Sequence, residues 1–226
     1  MGNRSGGFDR TALPPKDFVL LAGNWSHNRS AILLGYVWQA YDALKANPPA
    51  IDAEDLERSL TQVLVPRIRT AMTGYESFGV EHGLYERESK KPPPAQPPQY
   101  DITFVLYDDE RIMWPLEAKL LTSDRTVAAY SSEIRDQFLN CRYAPFSSEG
   151  AMLGYLLAGN ADQAFRNIAA RVPCSLIRPL FFKERAYRVS RHKRKDPTGK
   201  LYPRKFLCHH LLMPFPEFAA QRLLPL

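Results

Sequence analysis

The chain has 226 residues, 45% of them hydrophobic and 24% charged, which suits a domain with a sizeable core and excludes wholesale disorder. Thirty Lys and Arg against 24 Asp and Glu leave a net charge of +6, which permits an anionic partner without demanding one. No run approaches about 18 apolar residues, the first residues lack a signal peptide's apolar stretch, and the three cysteines include no C-x-x-C pair; membrane spans, a disulfide framework and a zinc cluster are therefore excluded, and a cytoplasmic setting is expected.

In chain order, residues 1–15 are a polar lead. A helix is predicted over 28–46, where Ile32, Leu33, Val37, Trp38, Tyr41 and Leu44 recur at three- and four-residue spacing before Asn47-Pro48-Pro49. A second helix is predicted from Asp52, as N-cap, to Met72; Leu56, Leu60, Val63, Leu64, Ile68 and Met72 form its apolar stripe, with Pro66 as a possible kink. Residues 76–88 read as a strand with a glycine irregularity. Five prolines in residues 90–99 leave only an extended connector. Tyr100–Tyr107 and Ile112–Leu121 then read as the two strands of a hairpin. A helix over 124–140, a strand over 151–158 and a helix over 160–171 follow. Two more strands, 175–189 and 206–213, flank a charged segment.

Three charged residues stand where a buried sheet should avoid them. Asp101 opens the first hairpin strand; Glu117 and Lys119 lie two apart in the second, on one face and roughly 6.5–7 Å apart along it. With Asp109-Glu110 as the loop, Asp101 falls opposite Ala118, beside Glu117. On an ordinary surface hairpin the pair would be a solvated strand face. Pro115 and Leu121, their neighbours on that face, argue for burial instead. Two carboxylates are hard oxygen donors for Mg²⁺, and a lysine beside them can steady charge on a phosphate.

Asp101, then Glu117-Ala118-Lys119 in an apolar strand, resembles the PD-(D/E)XK nuclease signature. The element order over about residues 52–171 is similar to that family's αβββαβ core. The resemblance implies an α/β, restriction-endonuclease-like fold with a mixed central sheet, to which an N-terminal helix and a C-terminal basic β-hairpin are added. The implied division is an N-terminal helical extension (1–50), a nuclease core (51–172) and a C-terminal strand pair with its basic hairpin (173–226), packed as one domain. It implies Mg²⁺- or Mn²⁺-dependent hydrolysis of nucleic-acid phosphodiesters, DNA favoured, with Asp101 and Glu117 as metal ligands and Lys119 as the catalytic lysine. Glu57 matches the helix acid loosely, and Glu54 is the other candidate. Gln137, and less so Glu149, are candidates to reach the site from behind. Tyr100 stands where the family's name puts Pro. Residues 137–159 are similar to nucleases of prokaryotic antiviral defence, which implies an effector of a defence or restriction system. The alternative is an inactive nucleic-acid-binding module or a regulatory subunit of a larger complex. No G-x-x-x-x-G-K-[ST] motif is present, so unwinding or target selection would come from a helicase or regulator partner. One site per chain is compatible with a homodimer that cuts both strands.

Residues 183–205 hold ten Lys and Arg against two acids, a net of +8, so the other 203 residues carry −2. The tip, with Arg191, Lys193, Arg194, Lys195, Lys200, Arg204 and Lys205 around an Asp196–Gly199 turn, is the candidate nucleic-acid interface. His209 and His210 are adjacent on a predicted strand and face opposite sides, so they read as structural histidines. Trp25, Trp38 and Trp114 read as core.

Overall fold

Six strands form one mixed sheet in the order β1-β2-β3-β4-β6-β5, with helices on both faces. The structure is a computed structural model that describes residues 16–51, 54–88, 97–195 and 200–219. The polar lead, the Asp52 N-cap, most of the proline connector and the Asp196–Gly199 turn lie outside the described residues.

The elements are α1 (Lys16–Ala46), α2 (Leu56–Ala71), β1 (Phe78–His82), β2 (Ile102–Leu106), β3 (Met113–Leu121), α3 (Ala128–Glu133), β4 (Glu149–Leu156), α4 (Ala161–Arg171), β5 (Tyr187–Lys193) and β6 (Lys205–Pro214). A π-helical turn, Ile134–Phe138, continues α3. β1, β2 and β3 pair antiparallel in sequence; β3, β4 and β6 are parallel; β5 closes the far edge antiparallel to β6. None of the described helices is long and apolar enough to cross a membrane.

Strand alternation divides the core in two. One face carries Phe104, Trp114, Leu116, Leu153 and Leu211 against Leu33, Val37, Leu60, Leu64 and Ile68 of α1 and α2. The other carries Leu121, Met152, Leu156 and Leu212 against Tyr130, Ile134, Phe165 and Ile168 of α3, the π turn and α4. α1 and the β5–β6 pair thus share an apolar cluster with the central strands.

Three elements differ from the sequence expectation. α1 begins at Lys16, twelve residues before Asn28. Gly23, Asn24, Ser26 and Asn28 are poor helix formers, but Phe18, Ala22 and Trp25 are buried on the inner face, and that packing outweighs the propensity. The helix predicted over 124–140 is shorter, six α-helical residues (Ala128–Glu133) that run directly into the five-residue π turn. The strand predicted over 175–189 begins only at Tyr187. Pro179 cannot donate to a ladder, and Phe182 takes a positive φ of 57°, so the chain before Tyr187 forms no continuous ladder and meets the sheet backbone at the Ile177–Val189 bridge and where the Leu212 N–H donates to the Ala186 carbonyl. α2 runs through Pro66 without ending.

Candidate active site

The site exists because β3 is longer than β2. Their register ends at Ile102 opposite Leu116, and β3 runs on to Leu121. One edge of residues 117–121 therefore has no neighbouring strand, and its N–H groups need other acceptors. Two side chains supply them. Asp101, just before β2, accepts the Ala118 N–H on Oδ2 at 2.7 Å. Glu57, in the first turn of α2, accepts the Leu120 N–H on Oε2 at 2.6 Å. The register is one residue off the expected one: continued past Ile102, it sets Asp101 opposite Glu117.

Lys119 stands at the centre. Its Nζ donates to Glu117 Oε1 at 2.8 Å and lies 3.5 Å from Glu57, 3.9 Å from Glu133 and 4.0 Å from Asp101. Four carboxylates from α2, β3, α3 and the chain before β2 thus converge on one ammonium. Glu117 is the most buried, with 6% of its side chain exposed against 33% for Asp101. Burial, then the Asp101 charge, pushes the Glu117 carboxyl well above the ordinary carboxylate range, although Lys119 opposes the shift. Burial, with Asp101 adding, also raises Glu133. Burial by itself would lower the Lys119 ammonium, but Glu117, Asp101 and Glu57 hold it above its usual value. One ammonium thus faces four carboxyl groups, two of which are pushed toward the neutral form.

Hard oxygen donors of this kind suit Mg²⁺ or Mn²⁺. Glu117 Oε2 and Glu133 Oε2 are buried without a hydrogen-bond partner, acceptors that a cation would satisfy. As the side chains stand, no group of three or more His, Cys, Asp or Glu among the described residues is arranged to hold a metal ion. The ammonium draws the carboxylates to itself, and a divalent ion would have to compete with it.

Of the expected residues, Asp101, Glu117, Lys119 and Glu57 come together. Glu54 is exposed in the turn ahead of α2 and is not among the carboxylates around Lys119. Gln137 is at the rim: its amide works against the rise of the Glu133 carboxyl, and its Oε1 is buried without a partner. Glu133 was not legible beforehand. The only signal was an acid on the helix after the E-x-K strand, and its aim depends on how α3 packs. Tyr143 is buried beside the carboxylates and donates to the Gln99 carbonyl at 2.9 Å. The backbone around it is strained, with φ of 54° at Cys141 and 38° at Ala144.

Glu149 belongs elsewhere. It faces the opposite side of the sheet, where it meets His27 Nδ1 at 2.5 Å, His209 Nε2 at 2.8 Å and the Ser30 hydroxyl. His209 also meets Tyr187 at 2.6 Å; His210, on the other face, meets Ser190 at 2.7 Å and Tyr130 at 3.1 Å. Both histidines are structural and fully partnered, on opposite faces as expected. Burial takes His210 down to about 3.

The basic segment is less uniform than its charge implies. Arg194 is buried, correcting its assignment to the interface. Its guanidinium donates to the carbonyls of Tyr143, Ala144, Pro145 and Ser147 at 2.8–3.3 Å and lies over the Phe206 ring. Burial brings it down to about 10. Lys200 is half-buried and pairs with Glu88 at 3.2 Å. Arg191, Lys193, Lys195, Arg204 and Lys205 remain exposed. The Lys195 N–H donates to the Leu139 carbonyl at 2.8 Å, which bends this strip toward the chain that follows the π turn.

A cleft of about 330 Å³ adjoins the carboxylates, with Glu57 and Asp101 in its wall. No family model, no curated protein and no solved structure matches the chain.

Proposed function

We propose that the chain is a metal-dependent nuclease of the PD-(D/E)XK type, with a restriction-endonuclease-like core, that hydrolyses nucleic-acid phosphodiesters. One observation carries this reading: Lys119 lies within 4.0 Å of Asp101, Glu117, Glu57 and Glu133, on a stretch of strand left open beside β2. Carboxylates and an ammonium in one half-buried pocket are the groups that metal-assisted phosphodiester cleavage requires.

Asp101 and Glu117 would hold Mg²⁺ or Mn²⁺, which when bound polarises the phosphate and lowers the pKa of a coordinated water. Glu57 and Asp101 fix the β3 edge through the Leu120 and Ala118 N–H groups, which holds the backbone that carries Glu117 and Lys119 in place. Lys119, held protonated by its neighbours, stabilises negative charge as it grows on the phosphate oxygens. Glu133, with Gln137 beside it, limits where the ammonium can move. Arg191, Lys193, Lys195, Arg204 and Lys205 supply phosphate contacts that give affinity rather than sequence choice. DNA is the favoured substrate, in a restriction or antiviral defence setting; a homodimer and a gating helicase or regulator fit the same reading.

The test is cleavage of DNA and RNA substrates by the purified protein under Mg²⁺ and Mn²⁺ titration, with Glu117→Ala and Lys119→Ala as folded controls. Activity retained in full by both variants overturns the site. A second reading is a nucleic-acid-binding module or regulatory subunit that does not cut; it is favoured by the side chains' closing on Lys119 rather than standing ready for a metal. Salt-dependent binding without cleavage at any metal concentration would select it.

A further inference from the structure

We propose that the cleft beside the carboxylates is a phosphate subsite for one nucleotide unit, in which Arg58 and His82 hold the phosphate adjoining the scissile one. The cleft measures about 330 Å³ and is lined by Glu57, Arg58, His82, Gly83, Gln99 and Asp101, among others. Glu57 and Asp101 belong to both this wall and the Lys119 cluster, so an occupant of the cleft lies next to the reacting centre. Arg58 follows Glu57 in the first turn of α2, and His82 ends β1. Both are exposed, and neither has a hydrogen-bond or ion-pair partner among the described residues. Arg69, about three turns further along the same face of α2, is by contrast bound to Glu81 and the Val80 carbonyl. A guanidinium and an imidazole lining one cleft are donors of the kind phosphate oxygens take.

Gly83 and Gln99 also line the cleft. Gly83 has φ +70°, and a Cβ there would come within 3.1 Å of Gln99 Nε2, which donates to the Gly83 carbonyl at 2.6 Å. The volume is at the lower end of small-molecule sites, about 300 Å³, and admits one nucleotide but no duplex. The carboxylate wall repels an anion until a divalent cation neutralises it, so occupancy should require metal.

The ligand's identity as a nucleotide rests on the nuclease reading. The test titrates thymidine 5′-monophosphate into the full chain by calorimetry, with and without Ca²⁺, for the parent and for Arg58→Ala, His82→Ala and the double variant. KM for oligonucleotide cleavage is measured alongside under Mg²⁺. Binding should need Ca²⁺ and weaken at least tenfold in the double variant, with Ca²⁺ affinity unchanged and KM raised by a similar factor. No binding by the parent at millimolar nucleotide, or equal binding by the double variant, overturns the subsite. Cleavage with unchanged KM in the double variant leaves the nuclease reading standing and removes this one; nucleotide binding lost in the double variant, without cleavage by the parent, does the reverse.

Discussion

Glu57 Oε2 accepts the backbone N–H of Leu120 at 2.6 Å, so a helix carboxylate stands where the carbonyl of a neighbouring strand would otherwise be. The same side chain lies 3.5 Å from Lys119 through its other oxygen. One residue therefore closes an open strand edge and supplies charge to the site, and the two roles are separable.

Glu57→Gln keeps an oxygen for the Leu120 N–H and removes the charge; Glu57→Ala removes both. The glutamine variant should unfold in urea like the parent, while the alanine variant loses about 1 kcal/mol, the net worth of one hydrogen bond at a half-exposed position. Metal-dependent cleavage should fall by roughly 10–100-fold in both, the range for residues that support metal ligands. Full activity in the glutamine variant would confine Glu57 to the strand edge.

Glu117 carries a cost that the site imposes on the fold. Its carboxyl is raised by burial and by Asp101, so the folded protein keeps a proton that the unfolded chain has already lost. Stability contributed by this group is present below the ordinary value of about 4.5 and is lost as pH rises toward the raised folded value. Glu117→Gln should therefore be more stable than the parent at pH 7.5 in EDTA, with a smaller difference near pH 4. It should gain nothing from added Mg²⁺ and lose cleavage by at least about 100-fold. Thermal unfolding at the two pH values, with and without Mg²⁺, gives the comparison; a parent that is the more stable in EDTA at pH 7.5 would contradict it.

Within one basic run, neighbours should behave differently. Arg194→Met strands carbonyls in the 143–147 segment and should cost about 2–4 kcal/mol in urea denaturation. Lys193→Glu and Lys195→Glu alter exposed side chains and should leave stability within about 0.5 kcal/mol of the parent. Those reversals should weaken nucleic-acid binding and flatten its salt dependence, by about one unit of log–log slope per lost phosphate contact. Unchanged salt slopes would remove the strip from the interface.

Glu149 supports the fold from the other face. Burial would raise its carboxyl, but hydrogen bonds from His209, Ser30 and His27 outweigh this and lower it. The stability it contributes is present above the ordinary carboxylate value and is lost as pH falls through the lowered one. Glu149→Ala leaves buried partners unsatisfied and should cost about 3 kcal/mol at pH 7, with a smaller difference in acid. Cleavage per folded molecule should stay within about twofold of the parent, measured at a temperature where both are folded.

Local pattern was sufficient for much of this. Period-2 alternation put Glu117 and Lys119 on one face between Pro115 and Leu121, and all four are buried or nearly so in the structure. The same alternation separated His209 from His210. The charge count showed that the basic excess is confined to one segment.

What periodicity leaves open is where elements end and what they abut. The length of β2 relative to β3 decides that Ala118 and Leu120 need side-chain acceptors, and a one-residue register step decides that Asp101 lies opposite Glu117. The approach of α2 selects Glu57 over Glu54, and the seating of α3 brings in Glu133. Arg194 looks like its basic neighbours in the run of letters, yet the turning of the chain after β5 buries it under the 143–147 carbonyls. Sequence alone determined which residues share a face within each element, because that follows from backbone geometry a few residues long. Tertiary structure decided which faces meet, because the apolar burial that selects those contacts is summed over residues far apart in the chain.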